Sequence, residues 1–218
     1  MLCLHDYWRS SAGYRVRIAL ELKGVDYQRV AVNLVAGEHR ASANLAVNPQ
    51  GLVPTLDVDG VALTQSLAII DYLDRTYPEP PLLPPAPLAR AQALSRALVI
   101  AADLHPIDNL RVLARLTDQF GADQSARDAW YAHWVSEGLR ALEAMAEAGA
   151  GAGAGHGPFL GGEAPDLSDI CLVPQLYNAR RFNVALDDYP TLVAADAAAC
   201  AHPAFAAAHP DRFKPAAQ

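Results

Sequence analysis

Residues 77–88, YPEPPLLPPAPL, constrain the 218-residue chain more than any other stretch, because six of these twelve positions are proline. Proline fixes φ and carries no backbone N–H, so such a run continues neither a helix nor a strand and reads as a connector. The patterns on its two sides differ. Before it, short β-type segments alternate with helical ones; after it, the periodicity is helical throughout. The chain therefore divides into a mixed α/β domain over residues 1–82, a linker over 83–88 and an all-helical domain over 89–218.

Within the first part, LCLHDY at 2–7 is short, apolar and compatible with a strand. DYQRVAVNL at 26–34 reads as a second strand, with Tyr27 and the valines supplying β-propensity. Between them, Gly13 to Lys23 places Val16, Ala19, Leu20 and Lys23 on one side, with Ile18 and Leu22 beside them. That is a helix with a wide buried stripe. Gly24 reads as its left-handed stop, and Lys23 is favourable at the negative end. A β-α-β unit makes its two strands parallel. Further on, LVPTLDVDGVALT sets Asp59-Gly60 between two apolar runs, a hairpin signal. Ser66 reads as the N-cap of LAIIDYLDRTY, in which Leu67, Ile70, Leu73 and Asp74 form an amphipathic pattern. The resulting order, β-α-β-α-β-β-α, is that of a thioredoxin-like α/β domain.

The second part begins with one long helical pattern over 88–116, which Pro106 should kink or break. A second helix from Ser125 to about Ala148 carries Trp130, Trp134 and Leu142 along one face. AGAGAGAGHGPFLGG, residues 148–162, reads as a flexible spacer; it lacks the GK[ST] that a phosphate-cradling loop needs. Asp166 and Asp169, at the start of ICLVPQLYNARRF, are spaced as an N-cap and a second carboxylate favoured at a positive helix end. Capping explains this carboxylate pair without acid–base chemistry. Short helical stretches around 190–201 and a polar tail complete the chain.

Composition excludes several classes. A chain that is 52% hydrophobic and 19% charged is globular, and a formal net charge of −7 argues against a nucleic-acid binder. Cys3, Cys171 and Cys200 are odd in number and widely spaced, with no CxxC, so they form neither a disulfide framework nor a zinc site. No basic leader followed by an apolar run opens the chain, and no membrane-length apolar run appears, so a cytoplasmic protein without a membrane span is expected.

WRSSAGYRVRIALELKG, residues 8–24, poses the functional question. Two serines at a helix start, flanked by arginines, either cap the helix or hold an anionic nucleophile. The string RSSAGYRVRIALELKG resembles the SSCxxRVRIALxLKG signature of zeta-class glutathione transferases, the maleylacetoacetate isomerase family. NPQGLVPTLDVDG, LTQSLAIIDYLD, DLHPIDNLRVL and LVPQLYNARRFNV resemble segments of the same class in order and spacing, so the likeness covers nearly the whole chain. It implies a cytosolic glutathione transferase architecture, a homodimer, glutathione as cofactor and a small diacid as substrate. The implied reaction is glutathione-dependent cis–trans isomerisation of maleylacetoacetate to fumarylacetoacetate, in phenylalanine and tyrosine catabolism.

The resemblance also implies site residues. Ser10 and Ser11 stand where the family stabilises the glutathione thiolate; a helix N-terminus and a hydroxyl donor lower a thiol pKa. Val53-Pro54 matches the family's cis-proline, and Gln65 and Ser66 its grip on the γ-glutamyl end, where a carboxylate meets a helix N-terminus. His39 and Gln50 are implied contacts to the glycine end, and His105, Asp108 and Asn109 further cofactor neighbours. Arg9, Arg111 and Arg181 stand where related isomerases bind substrate, and arginine suits a diacid because it pairs carboxylates bidentately and stays protonated. Arg15, Arg17 and Arg180 are left as scaffold or surface. Two departures mark this chain: Ala12 replaces the usual cysteine, and Asp108 stands where some relatives have glutamine. The alternatives are a maleylpyruvate isomerase, a general zeta-class transferase or α-haloacid dehalogenase, and a non-catalytic interaction module.

Overall fold

Four strands, β1 (Leu2–Asp6), β2 (Gln28–Ala31), β3 (Thr55–Val58) and β4 (Val61–Thr64), form one sheet in the order β2-β1-β3-β4. This is a computed structural model, and it describes residues 1–151 and 157–215. β1 runs parallel to β2, with Leu4 opposite Arg29, and antiparallel to β3, with Leu4 opposite Leu56. The β3–β4 hairpin turns at Asp59 and Gly60, both with positive φ (51° and 88°), as the Asp-Gly pair requires. β2 is shorter than the stretch 26–34 suggests. Asn33 ends it, because its Oδ1 accepts from the backbone N–H of Val35 and Ala36 and turns the chain.

The chain forms two compact units, Met1–Pro81 with Ala201–Gln218, and Leu82–Cys200. In the first, α1 (Ser11–Lys23), α2 (Ser42–Val47) and α3 (Ser66–Thr76) accompany the sheet. α1 is buried from Gly13 to Leu20 without interruption, broader than the stripe its periodicity suggests. It packs against α3 and also against α10 (Pro203–Ala208), near the end of the chain. Leu4, Val16, Ile18, Leu20, Leu56, Ile69 and Leu73 are sealed from solvent and form the core of this unit.

The last residues thus correct the sequence division. Assigned by pattern to a helical domain spanning 89–218, the segment from Ala201 onward groups with the first unit. The physical reason is specific: Arg17 of α1 donates from Nε to the carbonyl of Ala208 at 3.1 Å, and its guanidinium lies over the Phe213 ring. The linker is also shorter than 83–88, since α4 (Pro87–Leu98) starts inside it. Pro87 occupies the first turn, where a missing N–H costs nothing.

In the second unit the pattern over 88–116 is broken. After α4 come a π-helical stretch (Val99–Leu104), the single turn α5 (His105–Ile107) and α6 (Leu110–Phe120). In a regular helix the Pro106 ring meets the carbonyl four residues earlier, and the wider turn ahead of it relieves that contact. α7 (Gln124–Gly151) buries Tyr131, Val135, Leu139, Leu142 and Ala146, while Trp130 and Trp134 flank this stripe half-buried. Part of the stretch read as a glycine spacer, 152–156, lies outside the described residues. α8 (Leu167–Arg181) starts with the capping box formed by Asp166 and Asp169. α9 (Pro190–Ala201) closes the helix order before α10. No described helix is long and apolar enough to cross a membrane.

Candidate functional site

The start of α1 is built by three neighbours. Ser10 is the N-cap, in extended backbone (φ −67°, ψ 122°), and its Oγ accepts from the Gly13 N–H at 3.1 Å. That bond uses a hydroxyl lone pair and leaves the hydroxyl proton available to donate. Ser11 is buried in the first turn. Gly13 is required here, since a Cβ on it would lie 1.8 Å from Asp6 Oδ1.

Behind that turn is a buried ion pair. Arg17 and Asp6, both without side-chain exposure, are joined Nη1 to Oδ2, and Arg29 Nε approaches the same oxygen at 3.3 Å. Burial pushes the Asp6 carboxyl upward, against the pull of the two guanidiniums. Arg17 also donates from Nη2 to the Trp8 carbonyl at 3.0 Å, two residues ahead of Ser10. It therefore clamps the loop that presents the serine. Arg15, also buried, donates from Nε to Ser66 Oγ at 3.1 Å and so ties α1 to the first turn of α3. Neither role is legible in the string RVRIAL, where arginines two apart reach different neighbours only once the fold exists.

The start of α3 differs from expectation. Ser66 is the first helical residue, not the cap; Gln65 occupies the cap position with φ 69° and makes no side-chain cap bond. The Ser66 hydroxyl is engaged by Arg15, and the Gln65 side chain turns away to donate to Gln50 Oε1 at 3.0 Å. The first-turn N–H groups of α3 are thus left without a side-chain acceptor, the condition in which a helix N-terminus takes a carboxylate. Val53-Pro54 is a cis peptide bond. His39 keeps a buried Nδ1 without a hydrogen-bond partner, and burial, with a smaller contribution from Arg40, lowers its pKa. Arg9 is partly exposed, its guanidinium 5.3 Å from the centre of the Trp8 ring.

In the second unit, Asn109 caps α6, its Oδ1 accepting from the Arg111 N–H at 3.2 Å, and the Arg111 side chain is exposed. His105 lies in α5, half-buried. Asp108, between them, is buried, and neither carboxylate oxygen has a hydrogen-bond partner. Burial alone raises its pKa to about 7, so it is partly protonated at neutral pH. Its charge adds to the burial that raises the Tyr131 hydroxyl pKa. Arg181, at the end of α8, is exposed, with Nη1 donating to Asn178 Oδ1 at 2.8 Å and its guanidinium over Phe182. Arg180, read as scaffold or surface, pairs with Asp196 at 2.6 Å.

Asp169 is structural, as its spacing suggests: it accepts from the N–H groups of Leu160, Gly161 and Asp166 at 2.8–3.0 Å. Burial and the adjacent Asp166 raise its pKa to about 7, while those three donors pull it down. Among the described residues, no group of three His, Cys, Asp or Glu side chains is placed to hold a metal ion.

Comparison with known proteins decides what this geometry belongs to. The family described as "Glutathione S-transferase, N-terminal domain" matches residues 4–81. The chain is 50% identical over 212 residues to a maleylacetoacetate isomerase of Rhizobium meliloti, covering 97% of each. It belongs to the glutathione S-transferase family. Within that family it sits with the zeta-class, maleylacetoacetate isomerase group. The glutathione S-transferase fold here superposes on the holo structure of a maleyl pyruvate isomerase, described as a bacterial zeta-class enzyme, with a TM-score of 0.91. That pair is 43% identical, covering 95% of this chain and 96% of the other. A maleylacetoacetate isomerase from Methylobacterium extorquens AM1, solved with bound malonate and GSH, superposes with a TM-score of 0.90 at 40% identity. That match covers 98% of this glutathione S-transferase and all of the neighbour.

Proposed function

We propose that this protein is a glutathione-dependent cis–trans isomerase acting on maleylacetoacetate. The observation that carries this reading is the start of α1: a capping serine with a hydroxyl proton to give, on a loop clamped by a buried arginine. A relative that is half identical over nearly its full length and bears that enzyme's name supports it.

The residues fit the cofactor. The α3 N-terminus, uncapped by side chains, suits the γ-glutamyl carboxylate, with Gln65 and Ser66 beside it. The backbone at Val53-Pro54 suits strand-like pairing with the peptide, and Gln50 and His39, whose buried Nδ1 lacks a partner, suit its glycine end. Glutathione, when bound, supplies the sulfur nucleophile that adds to the cis double bond and leaves once the bond has rotated. Ser10 donates a hydrogen bond to the sulfur and, with the α1 N-terminus, keeps it ionised; Ser11 supports the same turn. Arg9, Arg111 and Arg181 receive the substrate carboxylates. Their permanent charges would stabilise negative charge as it develops on the substrate oxygen. His105, Asp108 and Asn109 are the further residues that the family resemblance assigns to the cofactor. Cofactor neighbours with a bound diacid exist in the family, since the Methylobacterium structure holds malonate together with GSH.

A second reading has its own support. The zeta-class structure with a TM-score of 0.91 is a maleyl pyruvate isomerase, so the shorter diacid is the rival substrate. One experiment separates the readings: purified protein with maleylacetoacetate, maleylpyruvate or dichloroacetate, each with and without glutathione. Turnover of maleylacetoacetate only with glutathione is expected. Turnover without it removes the mechanism, and preference for either other substrate moves the function to that rival. The homodimer and a cytoplasmic role in phenylalanine and tyrosine catabolism belong to the same proposal; sedimentation tests the first.

A further inference from the structure

A cavity of about 410 Å³ opens in the first unit beside the β2 edge of the sheet, and none of the implied site residues lines it. Its size is within the range of small-molecule sites, roughly 300–1,000 Å³. Trp8 and Phe213 line it with aromatic rings, Arg29 and Asp6 with polar groups, and Val35 and Glu38 line it as well.

The electrostatics of this cavity are unusual in a chain of net charge −7. Arg29 uses only Nε, on Asp6; among the described residues its two Nη groups have no hydrogen-bond partner. Its guanidinium lies 5.1 Å from the centre of the Phe213 ring, and Lys214 Nζ lies 5.8 Å from that of Trp8. No carboxylate among the described residues is paired with Lys214. The negative charge of Asp6 is already taken by Arg17, with which it is buried. What lines the cavity beside the two rings is the free fork of Arg29, with Lys214 near Trp8 but outside the lining. Glu38, which also lines the cavity, accepts from the Asn33 N–H at 2.7 Å and keeps one negative charge there.

We propose that this cavity is a second ligand site, taking a small aromatic monocarboxylate. The carboxylate binds the Arg29 fork, and the ring lies against Trp8 and Phe213. Glu38 repels a second carboxylate, so the site selects against the diacids of the reaction. This assignment stands independently of the proposed activity.

The test is calorimetric titration of the full chain, saturated with glutathione, using phenylacetate, its neutral counterpart phenylacetamide, and fumarate. Phenylacetate is expected to bind with Kd on the order of 1 mM, with the amide and fumarate at least about tenfold weaker. Arg29→Gln should weaken phenylacetate about tenfold. Should that variant fold poorly, Val35→Glu serves instead, since it sets a carboxylate at a position that is 78% exposed. Glutathione affinity should be unchanged in Val35→Glu. No heat at tens of millimolar, equal binding of the amide, indifference to both substitutions, or displacement by glutathione each overturns the proposal.

Discussion

Asp6 and Asp108 are both buried carboxyls, one in each unit, and they are treated in opposite ways. Asp6 sits between two guanidiniums, and its charge is converted into architecture: through Arg17 it fixes the Trp8 carbonyl and, with it, the loop carrying Ser10. Asp108 has no partner for either oxygen, and burial lifts its pKa to about 7. The first unit thus spends a buried charge on rigidity, while the second keeps an acid that changes state near neutrality. A buried charge is costly unless paired, so each arrangement makes a distinct and measurable demand on the protein.

Removing Arg17 attacks the paired side most directly. Arg17→Ala leaves Asp6 buried without its main partner, and a loss of about 3–5 kcal/mol in urea unfolding is expected. The loss should shrink as pH falls, because burial raises the Asp6 pKa and a protonated Asp6 needs no partner. If the variant is as stable as the parent, the ion pair is not the clamp described.

Ser10→Ala comes next, and it separates capping from chemistry. Loss of the cap costs about 1 kcal/mol, read in the melting temperature. Loss of the donor to the sulfur should lower kcat about 10²-fold, with the KM for glutathione moving far less. A variant that loses the stability but not the rate makes Ser10 a cap alone.

Asp108→Asn tests the unpaired side. The Asp108 pKa rises from 3.8 to about 7 on folding, so between those values the folded state holds more protons than the unfolded one. Stability from this group is therefore complete below about pH 4 and is lost as pH rises through about 7. Asn carries no charge to bury. At pH 8 the variant should be more stable than the parent by on the order of 2 kcal/mol, a figure reduced for partial solvation. At pH 4 the two should coincide, and parallel stability curves across that range sink the assignment.

The smallest effect is expected at Gln50→Ala. It removes one exposed hydrogen bond to Gln65, and a two- to fivefold rise in the KM for glutathione corresponds to about 0.5–1 kcal/mol. No change in that KM removes Gln50 from the cofactor's surroundings.

What was legible in the chain follows locality. Ser10 as a cap, Gly24 as a left-handed stop, the Asp59-Gly60 turn and the Asp166–Asp169 capping box are all settled within four residues, and all four are present. Ser66 was misplaced by one position because the positive φ of Gln65 and the bond from Arg15 are tertiary effects. The π-helical stretch ahead of Pro106 had a visible cause in the proline but no visible form. The buried triad of Asp6, Arg17 and Arg29 left no local mark, since a charged residue in a strand or helix ordinarily signals a solvated face. The return of the last segment to the first unit was hidden for a related reason. Its helix α10 is alanine-rich, and alanine packs against many surfaces without preference.

That return gives the chain a definite history. The helical unit lies wholly inside the stretch that departs at Pro81 and comes back at Ala201, so the first unit closes only when chain on both sides of that insertion has met. Until Ala208 and Phe213 dock, Arg17 lacks two of its neighbours and the loop bearing Ser10 lacks its full clamp. The rigidity of the serine loop therefore depends on a contact made 191 positions further along the chain.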